Sequence, residues 1–367
     1  MISRRTASAF LACLPVLGLF GCSKSDAPAP GGASSGAPAA GSEAVALNGA
    51  GATFPYPLYS KWISEYGKQN PLVRLNYQSI GSGGGIRQIT AGTVDFGATD
   101  SPMTAEEAQK APGKLHHIPT TLGAVIITYN LPEISAPLKL TAESLSGVFL
   151  GSIKKWNDPK LAEANPGVKL PDKDIAVVYR SDGSGTTGVF TDYLAKVSAE
   201  FKDKVGAGKS VKWPVGLGAK GNEGVTGQVK TTPYTIGYVE LAYAKQNKLP
   251  IAAMKNKAGN FIEPSAESMT AAASGAEIGE DLTASLADAA GDKAYPISAF
   301  TYLLVYEDAK NPAKGRALAK FLWWALHDGQ KHAAELDYAP LPDALIKKTE
   351  ERLRSLRAGN DKLLSGV

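Results

Sequence analysis

Residues 175–197 read IAVVYRSDGSGTTGVFTDYLAKV. Ile175 to Tyr179 has the length and β-branched content of a strand, and Val189 to Val197 has a helical pattern. Between them Arg180 to Gly188, RSDGSGTTG, gathers glycine and hydroxyl residues. The segment thus predicts a strand, a tight turn and the first turn of a helix. A helix N-terminus exposes unpaired N–H groups and a partial positive charge, which together favour an oxyanion. The same design recurs at NGAGATF, Asn48 to Phe54, and at IGSGGG, Ile80 to Gly85. One such turn says little; three predict an anion held by many neutral donors.

Outward from these turns, short apolar runs alternate with helical patterns. Val73 to Ile80, Val94 to Ala98, Ala124 to Asn130 and Tyr302 to Tyr306 read as strands. Tyr56 to Gln69, Ile86 to Ala91, Ala142 to Phe149 and Ala317 to His327 read as helices, the last with Phe321, Leu322, Trp323 and Trp324 pointing to a substantial core. The alternation predicts an α/β architecture with mainly parallel sheets. The chain has 367 residues, 44% hydrophobic and 20% charged, which suits about two globular domains and excludes wholesale disorder. A net charge of +4, with no basic stripe, argues against a nucleic-acid partner.

The N-terminus reads as a targeting segment. Arg4 and Arg5 precede the apolar run Ala7 to Phe20, giving a signal peptide over residues 1–21. Leu19-Phe20-Gly21-Cys22 resembles a bacterial lipobox, so Cys22 is the expected site of acylation; the other reading is an ordinary cleaved signal with a chance cysteine. Residues 22–43 are almost all Ala, Pro, Gly and Ser and read as a flexible, lipid-anchored linker. With Cys13 removed and Cys22 acylated, no disulfide is expected despite an oxidising compartment.

Ser184 sits in a glycine-rich turn, but Asp182 stands where a Gly-x-Ser-x-Gly elbow needs its first glycine, so no enzyme is expected. His116 and His117 read as a surface-loop pair, and no metal or cofactor is expected. Gly208-Lys209-Ser210 imitates the end of a P-loop, yet Asp203 occupies the first glycine position, which leaves a solvated turn.

The donors of the three turns are the hydroxyls of Thr53, Ser82, Ser184 and Thr186 and the backbone N–H groups of Phe54, Gly185 and their neighbours. Arg180, at the strand end, suits a bidentate grip on an oxyanion, with Asp182 fixing the guanidinium; the same two residues also suit a structural ion pair with Asp182 as a helix cap. Asp100, after the strand VDFGATD, is the odd member of an anion site. It fits a ligand that carries a proton, because a carboxylate accepts a hydrogen bond from P–OH and finds none on a fully ionised tetrahedral anion such as sulfate. Alone, it reads equally well as an N-cap for a helix beginning near Thr104.

With those residues in place the chain resembles the periplasmic phosphate-binding protein of the bacterial high-affinity phosphate ABC transporter. The resemblance runs from about Leu47 to Asp343 through GAGATFPYPLY (Gly49 to Tyr59), YQSIGSGGGIRQI (Tyr77 to Ile89), VDFGATDSPM (Val94 to Met103), RSDGSGTT (Arg180 to Thr187), VKWPVGLGAKGNEGV (Val211 to Val225) and LDYAPLP (Leu336 to Pro342). Gly83, Tyr179 and Thr187 depart from common family choices without removing a donor. The resemblance implies a type II periplasmic solute-binding fold, two α/β lobes around a ligand cleft with two hinge crossings. Lobe one would hold residues 44–120 plus 297–367, and lobe two residues 121–296.

On the same grounds inorganic phosphate would be bound by Thr53, Phe54, Ser82 and Asp100 from lobe one and by Arg180, Ser184, Gly185 and Thr186 from lobe two, with Asp182 orienting Arg180. The implied partners are the transmembrane subunits of an ABC permease with their ATPase, for a monomer that is periplasmic or at the cell surface and held to a membrane by its lipid anchor. Two rivals of other classes stay open, a secreted phosphatase and a non-transporting surface adhesin on the same scaffold.

Overall fold

The structure, a computed structural model, describes residues 44–364. The predicted signal peptide and the predicted linker with its acylated Cys22 lie outside the described residues. The chain opens with β1 (Val45–Gly51), α1 (Tyr56–Gln69), β2 (Val73–Ser79), α2 (Ser82–Thr90), β3 (Phe96–Thr99), α3 (Ala105–Gln109) and β4 (Leu115–Tyr129). It continues with β5 (Lys139–Leu140), α4 (Ala142–Leu150), α5 (Pro159–Ala164), β6 (Ala176–Arg180), α6 (Gly185–Val197), α7 (Ala199–Lys204), β7 (Leu217–Ala219), α8 (Gly221–Thr231), β8 (Thr235–Glu240) and α9 (Leu241–Gln246). After β9 (Ala253–Lys255), β10 (Phe261–Ile262), α10 (Ala266–Ala273) and β11 (Leu286–Ala287), the long β12 (Ile297–Tyr306) leads to α11 (Pro312–Leu326), α12 (Lys331–Glu335) and α13 (Asp343–Ser355).

The main sheet runs β2-β1-β3-β12-β4-β8-β6-β7, with β11 on the flank of β12. Each end is parallel: β1 pairs with β2 and β3, and β6 pairs with β7 and β8. The middle is not. β12 is antiparallel to both β3 and β4, and β4 is antiparallel to β8, so the expectation of mainly parallel sheets holds only at the two ends. The physical reason is that β4 and β12 are long, nearly wholly buried strands that join the two parallel ends edge to edge.

The predicted strand at Ala124 begins nine residues earlier, at Leu115. His116 and His117 are therefore buried strand residues and not a surface-loop pair. Burial pushes both imidazoles down to about 4, helped at His116 by the charges of Arg352 and Lys114 and at His117 by Lys209. His117 Nε2 accepts the Met103 N–H at 3.0 Å, a role for a neutral ring.

Helix α1 has the predicted bounds, and Leu58, Tyr59, Trp62 and Tyr66 form its buried stripe. Tyr66 meets Phe321 and Trp324 of α11 edge-on, with ring centroids 5.2 and 5.4 Å apart. Phe321, Leu322 and Trp324 are core as expected, whereas Trp323 is only partly buried, under the Arg354 guanidinium. At the other end of the sheet Phe149, Phe190, Trp213 and Tyr238 pack ring against ring. Burying each such aromatic contributes about 1.5–3 kcal/mol, which holds α4 and α6 rigidly against β8.

Candidate functional site

Each of the three turns runs from a strand into a helix as the sequence predicts; α1 starts where expected, and the helices after the second and third turns start four residues early. Helix α2 begins at Ser82 and α6 at Gly185, where Ser184 is the N-cap and its Oγ accepts the Thr187 N–H at 3.0 Å. Glycine-rich stretches argue against helix on propensity, but here the closeness of the backbones decides. A Cβ on Gly85 would fall 2.5 Å from the Gly51 Cα of β1, so α2 can lie against β1 only with glycine there.

All eight predicted contact residues are buried, and hydrogen bonds bring the three turns against one another. Ser82 Oγ accepts the Gly185 N–H at 3.0 Å, bringing the second turn against the third. The same hydroxyl donates to Asp100 Oδ2 at 3.3 Å, and Thr301 Oγ1 on β12 donates to Asp100 Oδ1 at 2.8 Å. Arg180 Nη1 donates to Thr186 Oγ1 at 3.3 Å. Thr53, at the end of the first turn, receives Asn222 Nδ2 at 2.8 Å, and the same amide reaches Thr186 Oγ1 at 3.2 Å. Phe54 sits beside Thr53, its carbonyl accepting from Tyr338 OH at 2.7 Å.

These contacts show the Arg180–Asp182 ion pair and exclude the helix-capping readings of Asp182 at α6 and of Asp100 at α3. Arg180 Nε donates to Asp182 Oδ1 at 2.9 Å and Nη2 to Oδ2 at 2.6 Å, so the pair is real, and its third guanidinium nitrogen turns to Thr186. Asp182 does not cap α6; its Oδ1 instead accepts the first amide of α8, Gly221 N–H, at 3.0 Å. Burial opposes ionisation of Asp182, but hydrogen bonds and charge from Arg180, with Gly221 N–H, outweigh it and hold the carboxyl below its ordinary value. Asp100 does not cap α3 either, because Thr104 does so in a capping box with Glu107. Burial drives the Asp100 carboxyl up to about 7 against the hydrogen bonds of Thr301 and Ser82 and the charge of Arg180.

Lys209 differs from expectation. The turn reads as solvated from sequence, yet the Lys209 side chain is 90% covered, and its ammonium pairs with Glu107 at 2.8 Å and donates to the Pro102 carbonyl at 2.9 Å. Its backbone carbonyl holds the Ser184 N–H at 2.8 Å, which ties down the N-cap of α6 within the third turn. Asn222, Thr301, Glu240 and Tyr338 belong to the shell and were not singled out from the sequence. The signal available for Asn222 was its place in the quoted stretch VKWPVGLGAKGNEGV, at the start of a helix.

Chemically the shell offers neutral hydroxyl and amide donors, one oriented guanidinium and, in Asp100, a carboxyl able to accept or share a proton. That set fits a tetrahedral oxyanion bearing a proton. Comparison with known proteins agrees with it. The PBP superfamily domain matches residues 33–328. The phosphate-binding protein PstS of Pasteurella multocida is 51% identical over 316 residues, covering 85% of this chain and 91% of that protein. This chain belongs to the family of PstS phosphate-binding proteins. The PstS of Haemophilus influenzae is 47% identical over 316 residues, covering 85% of this chain and 94% of its own length. Among solved structures, the high-affinity periplasmic phosphate-binding protein PfluDING, bound with phosphate, superposes with a TM-score of 0.69 at 23% identity, covering 86% of this chain and 97% of that one. At that identity the likeness concerns the fold, which is the type II periplasmic binding-protein fold of this family.

Proposed function

We propose that this protein binds inorganic phosphate outside the cytoplasm and delivers it to an ABC permease, whose transmembrane subunits and ATPase carry out import. The observation that carries this reading is the shell itself: a buried Asp100 among hydroxyls and amides, opposite an Arg180 already oriented by Asp182. Monoprotonated phosphate satisfies both groups, its P–OH donating to Asp100 and its charged oxygens accepting from Arg180 and the N–H and O–H donors of Thr53, Phe54, Ser82, Ser184, Gly185 and Thr186, with the Ser82 hydroxyl and the Gly185 N–H turning to the ligand from Asp100 Oδ2 and Ser82 Oγ, which they bond here. No bond in the ligand is made or broken.

The reading includes two lobes, residues 44–120 plus 297–367 and residues 121–296, that close on the ligand as a monomer. Its support is that the proposed crossings fall within β4 and at the start of β12, which pair with each other, Thr301 opposite Thr121 and Ser298 opposite Ala124. Hinge motion would then bend two adjacent strands together. Contacts such as Gly83 N–H to the Gly183 carbonyl at 2.9 Å and Lys209 to Glu107 at 2.8 Å are the latches such a closure makes. The reading also keeps the signal peptide and the acylated Cys22 as the membrane anchor, which mass spectrometry of the mature N-terminus tests directly.

Isothermal titration of the purified protein with phosphate and with sulfate tests the function. Tight binding of phosphate and none of sulfate is expected; a protein that binds neither, or prefers sulfate, does not have this function.

A further inference from the structure

Asn222 lies in the first turn of α8 and is wholly buried. All of its polar groups are engaged. Its backbone N–H donates to Thr53 Oγ1 at 3.2 Å, its Nδ2 donates to Thr53 Oγ1 at 2.8 Å and to Thr186 Oγ1 at 3.2 Å, and its Oδ1 accepts the Glu240 N–H at 3.0 Å.

The count of donors and acceptors gives these bonds a consequence. A threonine hydroxyl has one proton and two lone pairs. Thr53 Oγ1 receives two N–H donors from Asn222, and Thr186 Oγ1 receives one from Asn222 and one from Arg180 Nη1. Both hydroxyls have spent their acceptor capacity, so each can only donate. The orientation of the Asn222 amide is fixed in turn by Glu240: reversed, its NH2 would face the Glu240 N–H, donor against donor.

We infer that Asn222 is a positioning residue that sets the hydroxyls of Thr53 and Thr186, one from each side of the shell, as obligate donors to the bound anion. It acts through these two side chains without touching the ligand, and it joins turns 133 positions apart in sequence only when they are brought face to face. A free hydroxyl would rotate and accept from a ligand as readily as donate to it; a hydroxyl held in this way favours a ligand that is rich in acceptors. The inference rests on the phosphate-binding reading given above.

The test is a double-mutant cycle read by calorimetry on the full chain. Asn222→Ala should weaken phosphate binding roughly 10- to 100-fold, the order expected for losing oriented hydrogen bonds in a dry site. In a Thr53→Val background the same substitution should cost much less, because the hydroxyl it orients is already gone. Equal losses in both backgrounds, or no loss in either, overturn the inference, since a merely structural role would not depend on Thr53. Should Asn222→Ala not fold, Asn222→Leu carries the cycle, because it is neutral, keeps the side-chain volume and removes the Nδ2 donors, while the unpaired Glu240 N–H it leaves is common to both backgrounds. A wild-type protein that takes up no phosphate overturns the functional reading first, and the inference with it.

Discussion

The Asp182 carboxylate holds one edge of the Arg180 guanidinium in a bidentate grip, Nε to Oδ1 at 2.9 Å and Nη2 to Oδ2 at 2.6 Å, and leaves Nη1 facing Thr186. An arginine so held loses little further freedom when an anion arrives, because its side chain is ordered before binding. Arg180→Ala removes both the charge and that order. Truncating one partner of a buried, hydrogen-bonded charge pair costs about 2–5 kcal/mol, so phosphate affinity should fall by several kcal/mol in calorimetry. An unaltered dissociation constant would remove Arg180 from the site.

The part of this site that was legible in the sequence is the part whose chemistry is local. Arg180, Asp182, Ser184 and Gly185 sit in one turn, and strand, cap and helix follow from residue types within a few positions. Asp100 was conspicuous because a carboxylate is out of place among anion donors. Thr301 was not legible: it lies 201 positions from Asp100 and reaches it only through the β12–β3 register, Tyr302 opposite Thr99. The first half of β4 was hidden for another reason. Pro119 and two histidines interrupt its pattern, and the structure accommodates Pro119 at a register shift opposite Tyr302, where the missing N–H is tolerated. Lys209 looked solvated because nothing near it in sequence announces Glu107.

On the phosphate-binding reading proposed above, Asp100 decides which tetrahedral anion is accepted. An ionised carboxylate between Thr301 and Ser82 offers sulfate no proton to share, and a site built around a ligand hydroxyl can reject the analogue lacking it by about 10⁴- to 10⁵-fold. Asp100→Asn places an amide donor there, and measurable sulfate binding should appear. In the wild type, burial raises this carboxyl to about 7. Below that value it takes up a proton and becomes a donor itself, so rejection of sulfate should be strongest above about pH 7 and relax as pH falls, while the Asn variant shows no such trend. Competition titrations at pH 6 and 8 decide it; a wild-type protein equally selective at both would rule out a proton-reading Asp100.

Gly185 is fixed by space. A Cβ at this position would fall 2.5 Å from Asp100 Oδ2 and 2.7 Å from Asp100 N, with Ser82 Oγ nearer still. Gly185 lies in α6 with an ordinary helical φ, so alanine is compatible with its own backbone and the conflict arises only with the opposite side of the shell. Gly185→Ala should therefore fold normally, keep its thermal midpoint without phosphate within a few degrees of wild type, and lose most phosphate affinity because the two sides cannot meet. Calorimetry paired with thermal denaturation checks this; unchanged affinity would mean that the turns need not approach this closely to bind.

Glu240 caps α9 at the end of β8 and is wholly buried, and its Oε2 takes the Ala242 N–H at 2.9 Å and lies 3.0 Å from Tyr338 OH. The Tyr338 phenol has a single proton, and the Phe54 carbonyl, 2.7 Å away, also calls for it. The phenol donates to Glu240 Oε2 as well, and that bond and the Ala242 N–H favour the ionised carboxylate. Burial outweighs them, pushes the carboxyl well above the usual range and favours the neutral form. A raised value in the folded state means that the folded protein keeps a proton the unfolded chain gives up. The stability associated with neutral Glu240 is therefore complete below the unfolded value of about 4.3 and is lost as pH rises through the window up to the folded value, at about 1.4 kcal/mol per pH unit. Glu240→Gln is neutral throughout and removes this slope. Urea unfolding of the ligand-free protein should show Glu240→Gln gaining on wild type between pH 5 and pH 8; a variant that instead loses several kcal/mol at pH 8 would mean that Glu240 works as an ionised group.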